Sequence, residues 1–302
     1  MQFGSIIVLG AGGIGSVYGA FLSRKNDVTI VGNRAHVDAV NSNGLIISGE
    51  KKEVFRPKAD TVVREIPDRT LILLTTKAQD STNAVEGIKP PLRRDTVIVI
   101  LQNGLGNEEA VKRVVGKKAK VLRGITTMAA EFFTPGEIRF WAGTTLIEHD
   151  AAAESIAEVF RRSGLQAAIS NDINKEIWNK LIINSVINPL TAVFRVRNRE
   201  ICSASLQAVR HQIVAECVAV GKTQGIEFPP KLEEMVDKEI ANYANFSSMC
   251  QDVIKGKKTE IDFLNGRVVE LGRENCVPTP VNETLMYMIK FMEENHGLSR
   301  ED

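Results

Sequence analysis

The chain has 302 residues, enough for two medium-sized domains that each contain a hydrophobic core. Its hydrophobic content of 43% and charged content of 25% are those of an ordinary globular protein. A formal net charge of +1 without a basic block argues against a nucleic-acid partner, and no apolar run reaches the ~20 residues that a membrane span needs.

The cysteine and histidine patterns predict neither disulfides nor a metal site. The four cysteines show no CxxC spacing and are Cys202, Cys217, Cys250 and Cys276. The four histidines show no paired ligand spacing and are His36, His149, His211 and His296. Because the N-terminus also lacks the basic start of a signal peptide, we expect a cytoplasmic protein with free thiols and no metal.

A glycine-rich turn follows the first predicted strand, residues 6–9. It has the pattern G-x-G-x-x-G and consists of Gly10, Ala11, Gly12, Gly13, Ile14 and Gly15. A helix is predicted directly after it, over residues 16–24, and a second strand over 28–31. Glycines at this position allow a tight turn and let the backbone approach a pyrophosphate at the helix N-terminus. The alternative is an ordinary strand-to-helix turn, but the flanking elements favour a dinucleotide site.

The end of the second strand favours NADP over NAD. An NAD enzyme usually has an Asp or Glu here that binds the ribose 2′-hydroxyl. This chain has Gly32-Asn33-Arg34 instead, and an arginine can bind a 2′-phosphate with two hydrogen bonds. Arg34 could also be a solvated surface charge, so the missing carboxylate is the stronger part of the argument.

Polar residues also follow two further predicted strands. Residues 71–74 lead into Thr75-Thr76-Lys77, and residues 97–101 lead into Gln102-Asn103-Gly104. Ligands of open parallel sheets bind beyond the carboxyl ends of the strands, so Lys77 and Asn103 are expected to meet cofactor or substrate. Each could instead be a simple turn residue, and for Asn-Gly that alternative is strong.

The rest of the N-terminal half completes an α/β domain. A hairpin is predicted over residues 44–55, and a Pro135-Gly136 turn between strand-like segments around Phe132 and over 138–140. Further strands are predicted over 121–126, 144–148 and 165–169, with a helix over 151–162. We therefore expect a Rossmann-type domain with a mostly parallel sheet at residues 1–170.

From residue 171 onward the pattern becomes helical almost throughout. This change predicts an all-helical domain at residues 171–302. Helices are predicted over 173–188, 201–224, 230–243, 247–274 and 281–295. Pro189 is expected to bend or end the first of them.

The first of these helices carries a polar line. Glu176, Lys180, Asn184 and Asn188 recur at every fourth residue, which places them along one face. A solvated stripe on an amphipathic helix is the simple interpretation. Two asparagines inside a helix argue against it, since asparagine prefers caps and turns, and favour a binding or catalytic face.

Several segments together carry a family resemblance. They are Gly10 to Gly15, Thr76-Lys77, Gln102-Asn103-Gly104-Leu105-Gly106, Trp178-Asn179-Lys180-Leu181 with Asn184, Asn188-Pro189-Leu190-Thr191-Ala192, Asn198, Ser247-Ser248-Met249-x-Gln251-Asp252 and Thr259-Glu260-Ile261-Asp262-x-x-Asn265-Gly266. With these segments the chain resembles the ketopantoate reductase (2-dehydropantoate 2-reductase) family over nearly its whole length. The resemblance implies an NADP-binding Rossmann domain, a helical C-terminal domain and a cleft between them.

The resemblance also implies a role for individual residues. The catalytic proton donor falls on Lys180, and Glu260 falls on the acidic residue near this lysine and the nicotinamide ribose. Arg34 and Lys77 fall on the adenosine phosphate end, and Ala130 on a further cofactor contact. The implied substrate contacts are Asn103, Asn184, Asn188, Asn198 and Ser248, and Asn103 is also expected at the cofactor.

The expected function is NADPH-dependent reduction of 2-dehydropantoate to pantoate, in pantothenate and coenzyme A biosynthesis. A partial burial of Lys180 would lower its pKa and a nearby Glu260 would raise it, so the sequence leaves the balance open. One alternative is a sister NADP-dependent reductase of another 2-keto acid, and another is a non-catalytic NADP-sensing module. A small 2-keto acid is the expected partner, and a homodimer is left open.

Overall fold

The computed structural model describes residues 3–49 and 51–295, so that His296 lies outside the described residues. The chain divides into two compact units. One consists of Met1–Gln102 with Gly106–Ile173, and the other of Asn103–Leu105 with Asn174–Asp302. Three residues that follow a strand of the first unit, Asn103–Leu105, therefore belong to the second.

The first unit contains two sheets. Its strands are β1 Ser5–Leu9, β2 Val28–Val31, β3 Leu45–Ser48, β4 Glu53–Phe55, β5 Lys58–Asp60, β6 Thr70–Leu74, β7 Val97–Ile100, β8 Lys120–Thr126, β9 Ala129–Thr134, β10 Glu137–Trp141, β11 Thr144–Glu148 and β12 Gln166–Ser170. Eight of them form a sheet in the order β12-β11-β8-β7-β6-β1-β2-β5. Every pairing in it is parallel except that of β8 with β11. The predicted Rossmann-type domain with a mostly parallel sheet is confirmed.

The central strands explain why the sequence could be interpreted this way. Every residue of β6 and β7 is buried, as expected for parallel strands that are covered on both faces. Their residues are almost all Leu, Ile and Val, without alternation. A second sheet has the order β4-β3-β10-β9, and it includes the predicted hairpin, β3 paired with β4.

The helices of the first unit differ in part from the prediction. They are α1 Gly13–Leu22, α2 Arg34–Asn43, α3 Ser81–Ile88, α4 Asn107–Val115 and α5 Ala153–Arg162. The first helix begins three residues earlier than predicted, because Gly12 is already its N-cap. Helices α2, α3 and α4 were not predicted from the sequence.

All regular elements among the described residues of the second unit are helices. Its helices are α6 Ile173–Phe194, α7 Gln207–Thr223, α8 Leu232–Ile240, α9 Ser248–Ile254, α10 Asn265–Glu274 and α11 Pro280–Glu294. Short 3₁₀ turns cover Asn198–Cys202, Ala204–Leu206 and Ile261–Phe263, so that the helix predicted from residue 201 begins only at Gln207. Leu181, Ile182 and Val186 of α6 are buried in the core of this unit. Within the part of the chain that the structure describes, no helix is long and apolar enough to cross a membrane.

The helix predicted over residues 247–274 is wrong as a single element. Gly256 has a φ of +63°, and the Lys257 N–H donates to the Asp252 carbonyl at 2.8 Å. A left-handed glycine, followed by an N–H that donates to a carbonyl of the last helical turn, commonly ends a helix. Glu260 consequently lies in the segment between α9 and α10 and not on a helix.

Pro189 was expected to bend or end its helix, and it does not end it, since α6 continues to Phe194. A proline cannot donate to the carbonyl four residues earlier, which here belongs to Ser185. The side-chain amide of Asn265 donates to that carbonyl at 3.0 Å instead. A side-chain donor from α10 thus occupies the place of the N–H that the proline lacks.

Candidate functional site

Two glycines of the turn after β1 are required by the protein's own backbone. Gly10 has a φ of +110°, and a Cβ added to it would lie 2.4 Å from the Thr76 nitrogen. A Cβ added to Gly15 would lie 2.1 Å from the Gly10 carbonyl oxygen. Both distances are far below a normal contact, so these positions must be glycine for β1, β6 and α1 to meet.

Gly12 has a different environment. It is exposed, and apart from its chain neighbours no heavy atom of the described residues would lie within 4 Å of a Cβ added to it. It is the N-cap of α1, and as a glycine it has no side chain that could cap the helix. Since the first N–H groups of a helix attract anions, this open space fits the pyrophosphate of a dinucleotide. Ala130 lies beside the turn, with its Cβ 3.2 Å from a Cβ added to Gly13.

The residues after β2 meet the same turn. Gly32 packs against Ala11, which is buried, and the Gly10 and Ala11 N–H groups both donate to the Val31 carbonyl. Arg34 is the first residue of α2, and its side chain is 75% exposed. Its ion pair with Asp38 is long, at 3.8 Å, and such surface pairs are weak. The guanidinium can therefore turn toward a phosphate at little cost.

His36 anchors the start of α2 and was not predicted to matter. Its buried ring accepts a hydrogen bond at Nδ1 from the Gly136 N–H, at 3.0 Å. Nε2 must then carry the proton in the neutral ring, and it lies 3.0 Å from Ser16 Oγ of α1. Burial lowers the His36 pKa and so favours this neutral form. The ring thus ties α2, which carries Arg34, to α1.

The ends of β6 and β7 are also tied together. Gln102 Nε2 donates to Thr76 Oγ1 at 3.0 Å and also to Ser81 Oγ. Ser81 Oγ in turn donates to the carbonyl of Lys77, which is half-buried. These bonds fix the backbone of Lys77 at the carboxyl edge of the sheet, where the sequence predicted a ligand contact.

In the helical unit, the polar line of α6 is not a solvated stripe. Lys180 and Asn184 are half-buried, and Asn188 is only 4% exposed. Burial lowers the Lys180 pKa to about 8, and the charge of Glu260 acts in the opposite direction. Of the two opposing effects on the Lys180 pKa that the sequence left undecided, desolvation is therefore the larger.

Asn103 lies in a segment that packs on the turn following Glu260. The Leu105 N–H donates to the Phe263 carbonyl at 3.2 Å. Gly104 has a φ of +84°, and a Cβ added to it would lie 2.2 Å from that same carbonyl oxygen. Only glycine allows this approach, which brings the segments of Asn103 and Glu260 together.

Asn198 and the start of α9 form a further group near the end of α6. Asn198 is 4% exposed, and its side-chain oxygen has no hydrogen-bond partner among the described residues. Its N–H donates to the Asn245 carbonyl at 3.0 Å, just before α9. Ser247 caps α9 and lies 2.7 Å from Thr191 of α6, through a buried pair of hydroxyls. Ser248, the predicted substrate contact, is exposed on the first turn of α9.

The predicted site residues thus fall into two sets. The first unit contains the predicted cofactor contacts Gly10 to Gly15, Arg34, Lys77 and Ala130, whereas Asn103 and Glu260, which were also predicted at the cofactor, lie in the second unit. The set in the second unit consists of Asn103, Lys180, Asn184, Asn188, Asn198, Ser248 and Glu260. Among residues 3–49 and 51–295, no group of three or more His, Cys, Asp or Glu could hold a metal ion.

Two family models match the chain. The one described as "Ketopantoate reductase PanE/ApbA" matches residues 6–150, and the one described as "Ketopantoate reductase PanE/ApbA C terminal" matches residues 172–293. Among curated proteins, the 2-dehydropantoate 2-reductase of Pyrococcus horikoshii is 34% identical, with 98% of this chain and 99% of that protein covered. The enzyme of the same name from Archaeoglobus fulgidus is 32% identical, with 97% and 99% covered.

Solved structures give the same result for the fold. A PanE/ApbA family ketopantoate reductase from Ralstonia eutropha has a TM-score of 0.89 at 26% identity, with 97% of this chain and 99% of that chain covered. D-mandelate dehydrogenase, solved with NADH and anilino(oxo)acetate, has a TM-score of 0.90 at 26% identity and the same coverage.

The open space at Gly12 leads to a prediction about binding without a change in folding. Gly12→Ala should keep a melting temperature close to that of the wild type, because its methyl group would clash with none of the described residues. It should weaken NADPH binding about tenfold or more, because the methyl group takes the space of the pyrophosphate. Fluorescence titration and thermal unfolding measure the two quantities. Gly15→Ala is the contrasting variant, since its methyl group must clash with the backbone and destabilise the fold. An unchanged NADPH affinity in folded Gly12→Ala would contradict this placement.

Proposed function

The chain belongs to the ketopantoate reductase family and is an NADP-dependent oxidoreductase, and we propose that it reduces 2-dehydropantoate to pantoate in pantothenate and coenzyme A biosynthesis. The observation that carries this proposal is the full-length similarity to 2-dehydropantoate 2-reductases, in a chain whose Lys180 has a pKa lowered to about 8. We further propose a cytoplasmic location, which is supported by Cys202, Cys217, Cys250 and Cys276 all being free thiols.

The cofactor-binding role of the first unit is supported by the open helix N-terminus at Gly12 and by exposed Arg34. Gly12 to Gly15 would hold the pyrophosphate, and Arg34 with Lys77 the phosphate on the adenosine ribose. When NADPH is bound, it supplies the hydride that the carbonyl carbon of the substrate receives.

Lys180 would supply the proton. As negative charge grows on the carbonyl oxygen, the ammonium stabilises it and then transfers a proton to it. A pKa of about 8 suits this work, because the lysine is still mostly charged at neutral pH but releases its proton more readily than a solvated lysine does. Glu260 raises the Lys180 pKa and so helps to keep the half-buried ammonium charged.

The neutral side chains would hold and orient the substrate. Asn103, Asn184, Asn188 and Ser248 offer donors and acceptors suited to a small molecule with carboxylate and hydroxyl groups. Asn198 adds a buried side-chain oxygen without a partner in the described chain, which could accept the hydroxyl proton of such a substrate. Recognition by neutral groups would leave Lys180 as the positive charge that meets the reacting oxygen.

One specific observation favours a second candidate, a sister reductase of another 2-keto acid. The neighbour with a TM-score of 0.90 is a D-mandelate dehydrogenase solved with NADH, so this architecture also occurs in an enzyme of different name. A non-catalytic NADP-sensing module is less well supported. Desolvation destabilises the charged form of a lysine, and a sensor that transfers no proton gains nothing from it.

Initial rates with a panel of acids test the proposed function. We expect NADPH oxidation at 340 nm to be at least about a hundredfold more efficient in kcat/KM with 2-dehydropantoate than with pyruvate or phenylglyoxylate, since matched polar contacts discriminate strongly. NADH should replace NADPH poorly. A preference for phenylglyoxylate or another acid would support the sister reductase, and no oxidation with any acid would support the sensing module.

Arg34→Ala serves as the control for cofactor choice in this assay. It should weaken the use of NADPH about tenfold or more and leave that of NADH nearly unchanged, because NADH lacks the 2′-phosphate. Equal losses with both cofactors would show that Arg34 does not read this phosphate.

The role of Lys180 predicts a pH profile with a definite sign. Reduction needs the charged lysine, so kcat/KM should be level below the pKa of about 8 and fall above it. Oxidation of pantoate needs the neutral lysine and should show the opposite limb. Glu260→Gln should move both limbs to lower pH, because Glu260 raises this pKa.

Lys180→Ala should lose ~10²–10⁴-fold in kcat, and its kcat/KM should no longer fall above a pH of about 8. Retention of the limb in Lys180→Ala would refute the assignment.

A further inference from the structure

Pro189 stands inside α6, between residues that belong to one continuous helix, Ile173–Phe194. In a helix each N–H donates to the carbonyl four residues earlier, and a proline has no N–H to give. The carbonyl deprived of its donor is that of Ser185. It lies in the turn that also contains Asn184 and Asn188, the two asparagines of the polar line.

The missing donor is replaced from another helix. Asn265, the first residue of α10, donates from Nδ2 to the Ser185 carbonyl oxygen at 3.0 Å. Both residues are fully buried, so water cannot serve as the alternative partner for this carbonyl. The bond joins positions that are 80 residues apart in the chain.

A buried chain of polar groups sets the orientation of the Asn265 amide. The Glu216 carboxylate accepts from the N–H groups of Val281 and Asn282 and from Asn282 Nδ2. Because a carboxylate can only accept, the side-chain oxygen of Asn282 must face away from it, and it accepts from Asn265 Nδ2 at 2.9 Å. Asn265 thus directs both of its N–H groups, one at Asn282 and one at Ser185.

The side-chain oxygen of Asn265 shows that this residue acts as a donor and not as an acceptor. The side-chain oxygen of Asn265 is buried and has no hydrogen-bond partner within residues 3–49 and 51–295. An unpaired buried acceptor is unfavourable. The two N–H groups of the Asn265 amide therefore make its useful hydrogen bonds, whereas its unpaired oxygen is unfavourable.

We infer that Asn265 is a positioning residue, which supplies the hydrogen bond that Pro189 removes and so keeps α6 helical along the line of Lys180, Asn184 and Asn188. The spacing of Asn184 and Asn188 depends on the turn whose backbone bond is missing. Asn265 also starts the helix that follows Glu260, so one amide ties the Glu260 segment to the helix of Lys180. The effect on catalysis, as distinct from the effect on the helix, rests on the proposed function.

A double-mutant cycle between Asn265 and Pro189 tests the inference. Asn265→Ala should lower kcat/KM for 2-dehydropantoate about tenfold or more, mainly through KM, and leave NADPH affinity unchanged. Pro189→Ala restores a backbone N–H at the Ser185 carbonyl, so the double variant should recover to within about threefold of Pro189→Ala alone. Asn275→Ala is the matched control, since the exposed Asn275 side chain of the same segment also donates to a helix carbonyl, that of Leu271.

Hydrogen exchange provides a readout that needs no substrate. Amides of residues 190–194 should exchange faster in Asn265→Ala than in the wild type and return toward wild-type rates in the double variant. This separates the two claims, because a wild type that does not reduce 2-dehydropantoate would overturn the proposed function and leave the exchange pattern to decide the role of Asn265.

Two results would overturn the inference. One is a double variant that remains as impaired and as fast in exchange as Asn265→Ala, and the other is an Asn265→Ala that behaves like Asn275→Ala. If Asn265→Ala does not fold, the cycle is run with Asn265→Ser, which removes less packing but is too short to keep the same bond. Rescue of this variant by Pro189→Ala would support the inference, and lack of rescue would refute it.

Discussion

The partly desolvated ammonium of Lys180 is a constraint that the packing of the helical unit has to satisfy. Burial is unfavourable for a charge, and it brings the pKa of this lysine down to about 8 while Glu260 opposes the fall. A group held in this state needs a rigid support, because a small outward movement would return it to water. The support is α6, whose Trp178, Leu181 and Ile182 are buried in the core while the polar line runs along another side. The same helix therefore packs its apolar side into the core and holds Lys180 partly desolvated on another side.

Backbone groups with special requirements hold the segments around this helix. The glycine at 104 lets a loop contact the Phe263 carbonyl, and a left-handed glycine at 256 ends α9 early enough to place Glu260 outside a helix. In the other unit, Gly10 and Gly15 are required for strand and helix to meet, whereas Gly12 leaves space at a helix N-terminus. Gly10 and Gly15 are thus required by the fold, whereas Gly12 is not and is available for the proposed contact with the cofactor.

The sequence was sufficient for the fold class because its signals are local. The apolar runs of β1, β6 and β7, the glycine turn between strand and helix, and the loss of strand patterns after residue 170 are each visible within a few residues. Two of the misses concern long-range partners. Continuation of α6 past Pro189 depends on an amide 80 residues away, and the role of His36 depends on an N–H 100 residues away. The break at Gly256 had a local signal in Lys255-Gly256-Lys257, which the helical periodicity on both sides concealed. The roles of the site residues came from family resemblance, and they stay predictions.

The central claim is that the polar line of α6 serves a ligand and not the fold, and Asn184 tests it most directly. A side chain that serves a ligand contributes little to the free protein, whereas removal of a satisfied buried amide costs ~1–3 kcal/mol. The measurement is KM for 2-dehydropantoate and the melting temperature, both on purified Asn184→Ala. Our account predicts a raised KM and a lowered kcat/KM with a melting temperature close to that of the wild type. Near-normal kinetics with a lowered melting temperature would contradict it, and so would a variant unchanged in both.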